Sequence, residues 1–301
     1  MMRNEKKHYS NLLNQQKNTG KIEKIEPKID AFEYAYQIYN SFHILKMPHF
    51  DSTKYVLDLV KQKSKKLQIL SLGSGTADWE IELLQNEPNH LSIEAIDINE
   101  ELLEGSKNFA TKNNLNLKTI VADVNKIELK KSFYDLVVVR SSLHHFIELE
   151  RIFEEVNSSL VKDGEFLVIG EVIGRNGECL FTETKEMAQK IFDVLPEKFR
   201  YNNYTKKIDS DVPDIDHSEQ SFESIRSEEI LPLLLRYFKP KEYVTFDAFL
   251  TLLLDFRYGP NYDMKRSLDK SMVEMITNLD IYNISTSKLK PTTLFGIFGK
   301  K

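Results

Sequence analysis

The stretch Leu70-Ser71-Leu72-Gly73-Ser74-Gly75-Thr76-Ala77-Asp78 decides the fold. It leaves an apolar run, Leu67 to Leu72, through a glycine-rich turn. It then enters a helical pattern carrying Trp79, Ile81, Leu83 and Leu84. Strand, glycine turn and helix in that order build a nucleotide-sized site. Glycine lets the backbone pass close to a ligand, and a helix N-terminus offers unpaired N–H groups.

Downstream of this turn, apolar runs alternate with amphipathic ones. Residues 68–72, 91–96, 117–122, 136–139 and 164–169 read as strands, and 78–85, 100–113 and 147–160 as helices. That alternation predicts a parallel sheet with helices on both faces. Upstream, residues 1–28 are rich in Lys, Asn and Gln, and partial order is expected there. Phe32, Tyr36, Tyr39 and His43 then recur at helical spacing, and a second helix is expected over 52–63. From 174 to 216 the strand rhythm breaks, which suggests a helical insertion with a loop over 206–217. Beyond it the pattern gives a Ser-capped helix over 221–238 and a strand over 243–249. Helix in two pieces follows over 250–283, broken at Gly259-Pro260, and a last strand spans 290–299.

The composition narrows the function classes. A net charge of −5 leaves no electrostatic footprint for nucleic acid. Cys179 is the sole cysteine, which excludes an internal disulfide, a multi-cysteine zinc site and a CxxC pair, and suits a reducing, cytoplasmic setting. No apolar run approaches the roughly 20 residues that span a bilayer, so membrane insertion is not expected. The polar start, Met1 to Lys7, lacks the apolar centre of a signal peptide.

Five segments, taken in order, resemble the class I S-adenosylmethionine (SAM)-dependent methyltransferases. Gly73-Ser74-Gly75-Thr76-Ala77 matches the family's Gly-x-Gly-x-Gly turn, with Ala in the third place. Ser71 stands where the family often has an acid. Asp97, in Ile96-Asp97-Ile98-Asn99, matches the acid that closes strand two and accepts the ribose hydroxyls. Ala122-Asp123-Val124 matches the segment that meets adenine. Asp135 to Phe146, containing Arg140-Ser141-Ser142-Leu143-His144-His145, resembles the strand-four ending of small-molecule members. Leu160 to Ile169 resembles the helix, glycine and strand-five segment.

The resemblance implies an α/β, Rossmann-like fold. Its sheet has seven strands, mostly parallel with one antiparallel C-terminal strand, accompanied by N-terminal helices and a helical insertion after strand five. The expected organisation is a tail and helical lid over 1–50, the SAM-binding core over 51–175 and the insertion over 176–240. Residues 241–301 complete the sheet. The expected cofactor contacts are Gly73, Ser74, Gly75, Asp97, Ile98, Asp123, Val124, Arg140 and Ser141. The product is S-adenosylhomocysteine, and the acceptor is a small molecule methylated at oxygen or nitrogen. Monomer and homodimer are both compatible.

Methyl transfer from a sulfonium needs alignment and, for a protonated acceptor, a base. His145 and His144, one short turn past strand four, are the base candidates, with Glu171 after strand five as a third. Acceptor contacts are expected from Tyr36 and Tyr39 on the lid, and from His217 and Arg226. No metal site is expected, because adjacent histidines rarely ligate one ion. Two rivals remain. A nicotinamide-linked oxidoreductase would want a third glycine where Asp78 stands, and that carboxylate would repel a pyrophosphate. A non-catalytic SAM-fold binding protein would differ only in lacking methyl transfer. The nucleic-acid amino-methylating motif is absent after strand four, where Arg140-Ser141-Ser142-Leu143 stands, and Cys179 is misplaced for cytosine-C5 chemistry.

Overall fold

The computed structural model describes residues 29–44, 51–63, 65–218 and 223–301. Its centre is the strand Tyr134–Arg140, whose run of apolar residues is buried on both faces. Around this strand, β4, lie β1 (Leu67–Leu72), β2 (Leu91–Asp97), β3 (Leu117–Val121), β5 (Leu160–Val172), β8 (Lys239–Phe246) and β9 (Thr293–Gly299). The order across the sheet is β3-β2-β1-β4-β5-β9-β8. The first five strands pair in parallel, and β9 runs antiparallel to both β5 and β8. This is the mostly parallel seven-stranded sheet with one reversed strand that the motif order implies. The strand order reverses between β1 and β4, which opens a crevice at their carboxyl ends.

Alternate residues of the strands feed two cores. Ile69, Ile93, Leu136, Val138 and Leu167 face one side. There they meet α1 (Asp30–Ile44), α2 (Ser52–Lys63), α3 (Asp78–Asn86) and residues from the insertion and C-terminal helices. Leu70, Leu72, Val137, Val139, Phe166 and Val168 face the other side, where α5 (Leu149–Ser159) and α8 (Ser227–Tyr237) cover them. The helix α4 (Glu100–Lys112) packs against β2 and β3, with Asn99 capping its first turn by accepting the Glu101 N–H at 3.0 Å. Phe153, Phe166 and Phe238 fix α5 against β5, with ring centroids 5.1 to 6.1 Å apart.

The insertion holds α6 (Thr182–Val194), the single turn α7 (Glu197–Arg200) and a two-residue hairpin, β6 (Tyr201–Asn202) with β7 (Lys207–Ile208). The hairpin was not foreseen, because two residues per strand leave no alternation to read. Some boundaries also move. The helix expected from 221 starts at Ser227, preceded by a turn over 223–226; residues 219–222 lie outside the described ones. The strand expected to reach 249 stops at Phe246, because Asp247 takes φ +59°, which extended backbone does not allow. The break at Gly259-Pro260 is a short 3-10 turn between α9 (Leu250–Leu254) and α10 (Ser267–Ser285). No described helix is long and apolar enough to cross a membrane.

The largest departure concerns α1. Tyr36 and Tyr39 were expected to point into the acceptor site from a lid. Instead both pack on Phe246, at 6.0 and 5.7 Å between centroids. Tyr39 is 1% exposed and donates its hydroxyl to Asp280 of α10. Asp280 also accepts the backbone N–H groups of Ala248 and Phe249. Ala31 and Ala35, both fully buried, let α1 approach closely. The aromatic stripe is therefore core packing, and His43, which shares it, has a side chain outside the described set.

Replacing Tyr39 by Ala should lower the unfolding free energy by about 3–5 kcal/mol, as for other large-to-small core changes. Urea denaturation measures this. A loss below about 1 kcal/mol would contradict a core role, and lost SAM affinity in the folded variant would return Tyr39 to the site.

Candidate cofactor site and its histidine pair

The glycine turn supplies the floor. Gly73 and Gly75 take φ +65° and +56°, and Ala77 follows at φ +55° before α3. Gly73 is required twice over. Beyond its left-handed backbone, an added Cβ would lie 2.7 Å from the Cβ of Ser142. Ala77 accepts a left-handed conformation that costs an L-residue roughly 1–2 kcal/mol. Ser71, in the place of the family's acid, donates its hydroxyl to the buried Glu80 at 2.6 Å. The carboxyl at this point thus comes from α3 instead of β1, and burial raises its pKa.

Asp97 closes β2 and faces the turn. Its carboxylate accepts the Gly75 N–H and the Asn99 N–H, both at 2.8 Å. Burial pushes its pKa up against these hydrogen bonds. Past β3, Asp123 accepts from the backbone and side-chain nitrogens of Asn125 at 3.0 Å. Asn125 in turn accepts the N–H groups of Ile147 and Glu148, tying the loop after β3 to the loop after β4.

These parts enclose a cavity of about 290 Å³. All nine residues expected to contact the cofactor lie on its wall: Gly73, Ser74, Gly75, Asp97, Ile98, Asp123, Val124, Arg140 and Ser141. The residues fit SAM. Among the described residues the buried Ser74 hydroxyl has no hydrogen-bond partner. The wall also offers the Asp97 carboxylate to hydroxyls. At the mouth of α3, Thr76 donates to Asp78 at 2.8 Å, which places a carboxylate where a pyrophosphate would be repelled. Thr76, Leu102, Asn125, Ser142 and Phe146 also line the wall and were missed. Leu102 carried a signal: it sits beside the core residue Leu103 and so falls off the buried stripe of α4. A larger cavity, about 570 Å³, lies on the outer strand β8 between Tyr39, Phe42, Tyr243 and Ile281. None of the strand-end motif residues reaches it.

The turn after β4 is organised by one carboxylate. Glu171, fully buried, accepts the N–H groups of Ser142, Leu143 and His144 at 2.9 to 3.0 Å, and that of Val172 at 3.1 Å. Its Oε1 also lies 2.6 Å from His144 Nδ1. Burial alone would raise its pKa, but His144 and the backbone N–H groups hold it below the ordinary value. With its lone pairs so engaged and no surface exposed, Glu171 shapes the turn and has no path to an acceptor's proton.

The two histidines divide. His144 is buried, and its Nε2 lies 3.4 Å from Glu223 Oε2. Burial would depress its pKa, yet Glu171 and Glu223 raise it to about 10. His145 stands beside it, ring centroids 4.1 Å apart, with Nδ1 3.9 Å from the same Glu223 oxygen. His145 is the one that lines the cofactor cavity. Glu223 was missed, because it lies on a turn far along the chain. That turn is docked by the Ile225 N–H on the His144 carbonyl at 3.2 Å. Among the described residues, His144, His145 and Glu223 have ligand atoms within 4.8 Å of one another.

Two residues expected among the acceptor contacts, Arg226 and His217, lie off the cofactor cavity, in the neighbourhood of Glu223. Arg226 forms a paired fork with Glu150 at 2.8 Å and binds Glu229 at 2.6 Å. It also donates to the Ile147 carbonyl, so it clamps the Glu223 turn onto α5. His217 donates its N–H to the Gly177 carbonyl at 2.9 Å and is not on the cavity wall.

Residues 63–206 match the family model described as a methyltransferase domain. A search of curated protein sequences found no significant match. Among solved structures, the chain is similar to a putative sarcosine dimethylglycine methyltransferase from Galdieria sulphuraria. The identity is 12%, the TM-score 0.49, and the match covers 85% of this chain and 86% of that one. It is also similar to an O-methyltransferase from a trans-AT PKS multienzyme of Brevibacillus brevis, in complex with S-adenosylhomocysteine. There the identity is 15% and the TM-score 0.47, covering 86% and 78%. A third is the geranyl diphosphate C-methyltransferase of Streptomyces coelicolor, at 10% identity and TM-score 0.46, covering 83% and 75%. Likenesses this distant say nothing of acceptor or mechanism. The motif order and the family match point the same way: residues 63–206 are similar to a methyltransferase domain, and their motifs resemble those of the class I SAM-dependent family.

Proposed function

We propose that this chain is a SAM-dependent methyltransferase acting on a small-molecule acceptor, at oxygen or nitrogen, with His145 receiving the acceptor's proton. The observation that carries the reading is the place of His145, on the wall of the cofactor cavity near Asp97 and Ser142. His144 is unsuited to the same task, because it is buried and held as a cation between two carboxylates. Its charge instead orients Glu223 beside His145. SAM, when bound, supplies a methyl group already activated by the positive sulfur.

The chain's own contribution is then alignment and proton removal. The glycine turn and Asp97 set the donor's position, and Phe146 and Leu102 give the wall apolar surface. Alignment of this kind supplies on the order of 7–11 kcal/mol of a barrier. A positioned base adds roughly 10²–10⁴-fold. The acidic balance of the chain and the lack of a nucleic-acid-type strand-four ending favour a small acceptor. The lone Cys179 suits a reducing compartment such as the cytoplasm.

Asp97→Ala should weaken SAM binding strongly in calorimetry, and unchanged affinity would remove Asp97 from the cofactor site. His145→Ala should cut turnover roughly 10²–10⁴-fold while leaving SAM affinity nearly intact, measured with radiolabelled SAM against an acceptor panel. Equal turnover of variant and wild type would exclude His145 as the base.

A further inference from the structure

We propose that His144 Nε2, His145 Nδ1 and the Glu223 carboxylate form a site for a divalent transition-metal cation of the zinc class, beside the cofactor cavity. The separations are those of a ligand set. Glu223 Oε2 lies 3.4 Å from one imidazole nitrogen and 3.9 Å from the other, and all three groups converge within 4.8 Å. Ligands about 2.0–2.1 Å from a tetrahedral zinc sit close to the shorter of these distances from one another. Small rotations of His145 and Glu223, both partly exposed, close the rest.

A second observation points the same way. His144 gives its other ring nitrogen, Nδ1, to the fully buried Glu171 at 2.6 Å. A carboxylate behind a histidine fixes the tautomer, aims Nε2 outward and raises its basicity, as outer partners of metal-bound histidines do. Glu171 is itself immobilised by four backbone N–H groups, so the aim of Nε2 is set by the fold. The docked turn carrying Glu223 brings the third ligand from a different part of the chain.

Two imidazoles and one carboxylate suit a borderline cation and leave positions open to other ligands. Because His145 also lines the cofactor cavity, an open position is within reach of an acceptor's oxygen or nitrogen. A bound cation would displace the proton that His144 Nε2 holds toward Glu223 and would take the His145 lone pair, so His145 serves as the base only in the metal-free protein. Adjacent histidines fail as a pair on regular strands or helices. Here they lie on a 3-10 turn, Leu143–His145, which tilts the two rings 46° to each other.

The test uses tag-free full-length protein, stripped with a chelator and titrated with zinc chloride against a chromophoric competitor. One equivalent should bind. Glu223→Ala and His145→Ala should abolish that binding, and Glu171→Gln should weaken it 10–100-fold, the usual cost of losing an outer partner. Cobalt(II) substitution should show absorption bands of a four- or five-coordinate site in wild type and not in Glu223→Ala. SAM affinity, measured in the same samples, reports the fold and the methyltransferase reading separately. No stoichiometric binding, or binding equal in wild type, Glu223→Ala and His145→Ala with SAM affinity preserved, would overturn the site.

Discussion

Glu171 is the constraint on which the rest of the site depends. Its carboxylate is fully buried and meets four backbone N–H groups and one imidazole. A charge in such a place is tolerable only because every lone pair is engaged. The consequence is geometric. The chain leaving β4 cannot relax into an ordinary loop; Ser141 is forced to φ +45° and the next residues coil around the carboxylate. That coil brings the Ser142 side chain against Gly73, where its hydroxyl donates to the Leu72 carbonyl at 3.0 Å. The glycine turn and the histidine turn are therefore built as one object across the β1–β4 crevice.

The two sides of this object divide the chemistry. The β1 and β2 side, with Gly75 bonded to Asp97, offers backbone N–H groups and a carboxylate to a nucleoside. The β4 and β5 side offers two imidazoles and Glu223. Arg226, one of the expected acceptor contacts, holds the Glu223 turn in place from behind. Its contribution is mechanical. Surface ion pairs are weak singly, but a fork shared by two glutamates and a carbonyl fixes a backbone segment more firmly than one pair would.

How much of this was legible follows from the range of the interactions. The strands were readable because parallel strands are apolar on both faces, and the 52–63 helix matched residue for residue. The cofactor wall was readable because its residues sit directly after strands, where sequence order and space coincide. The acceptor side was not. Glu223 reaches the histidines through a docked turn, and nothing local in its sequence announces that contact. Tyr36 and Tyr39 had the right chemistry for a pocket, yet helical spacing cannot say which surface an apolar stripe meets. Their partner, Phe246, lies on β8 far along the chain. The helix expected from Ser221 began at Ser227, because the buried Ser227 hydroxyl is bonded to the carbonyls of Gly174 and Arg175.

The central claim is that the β1–β4 crevice holds the methyl donor. A crystal structure of the full chain with S-adenosylhomocysteine tests it most directly. The account predicts the ribose hydroxyls on the Asp97 carboxylate, the adenine near Asp123 and Leu102, and the sulfur directed toward His145. Nucleoside density in the β8 cavity beside Tyr39 and Phe42, with the crevice empty, would contradict it.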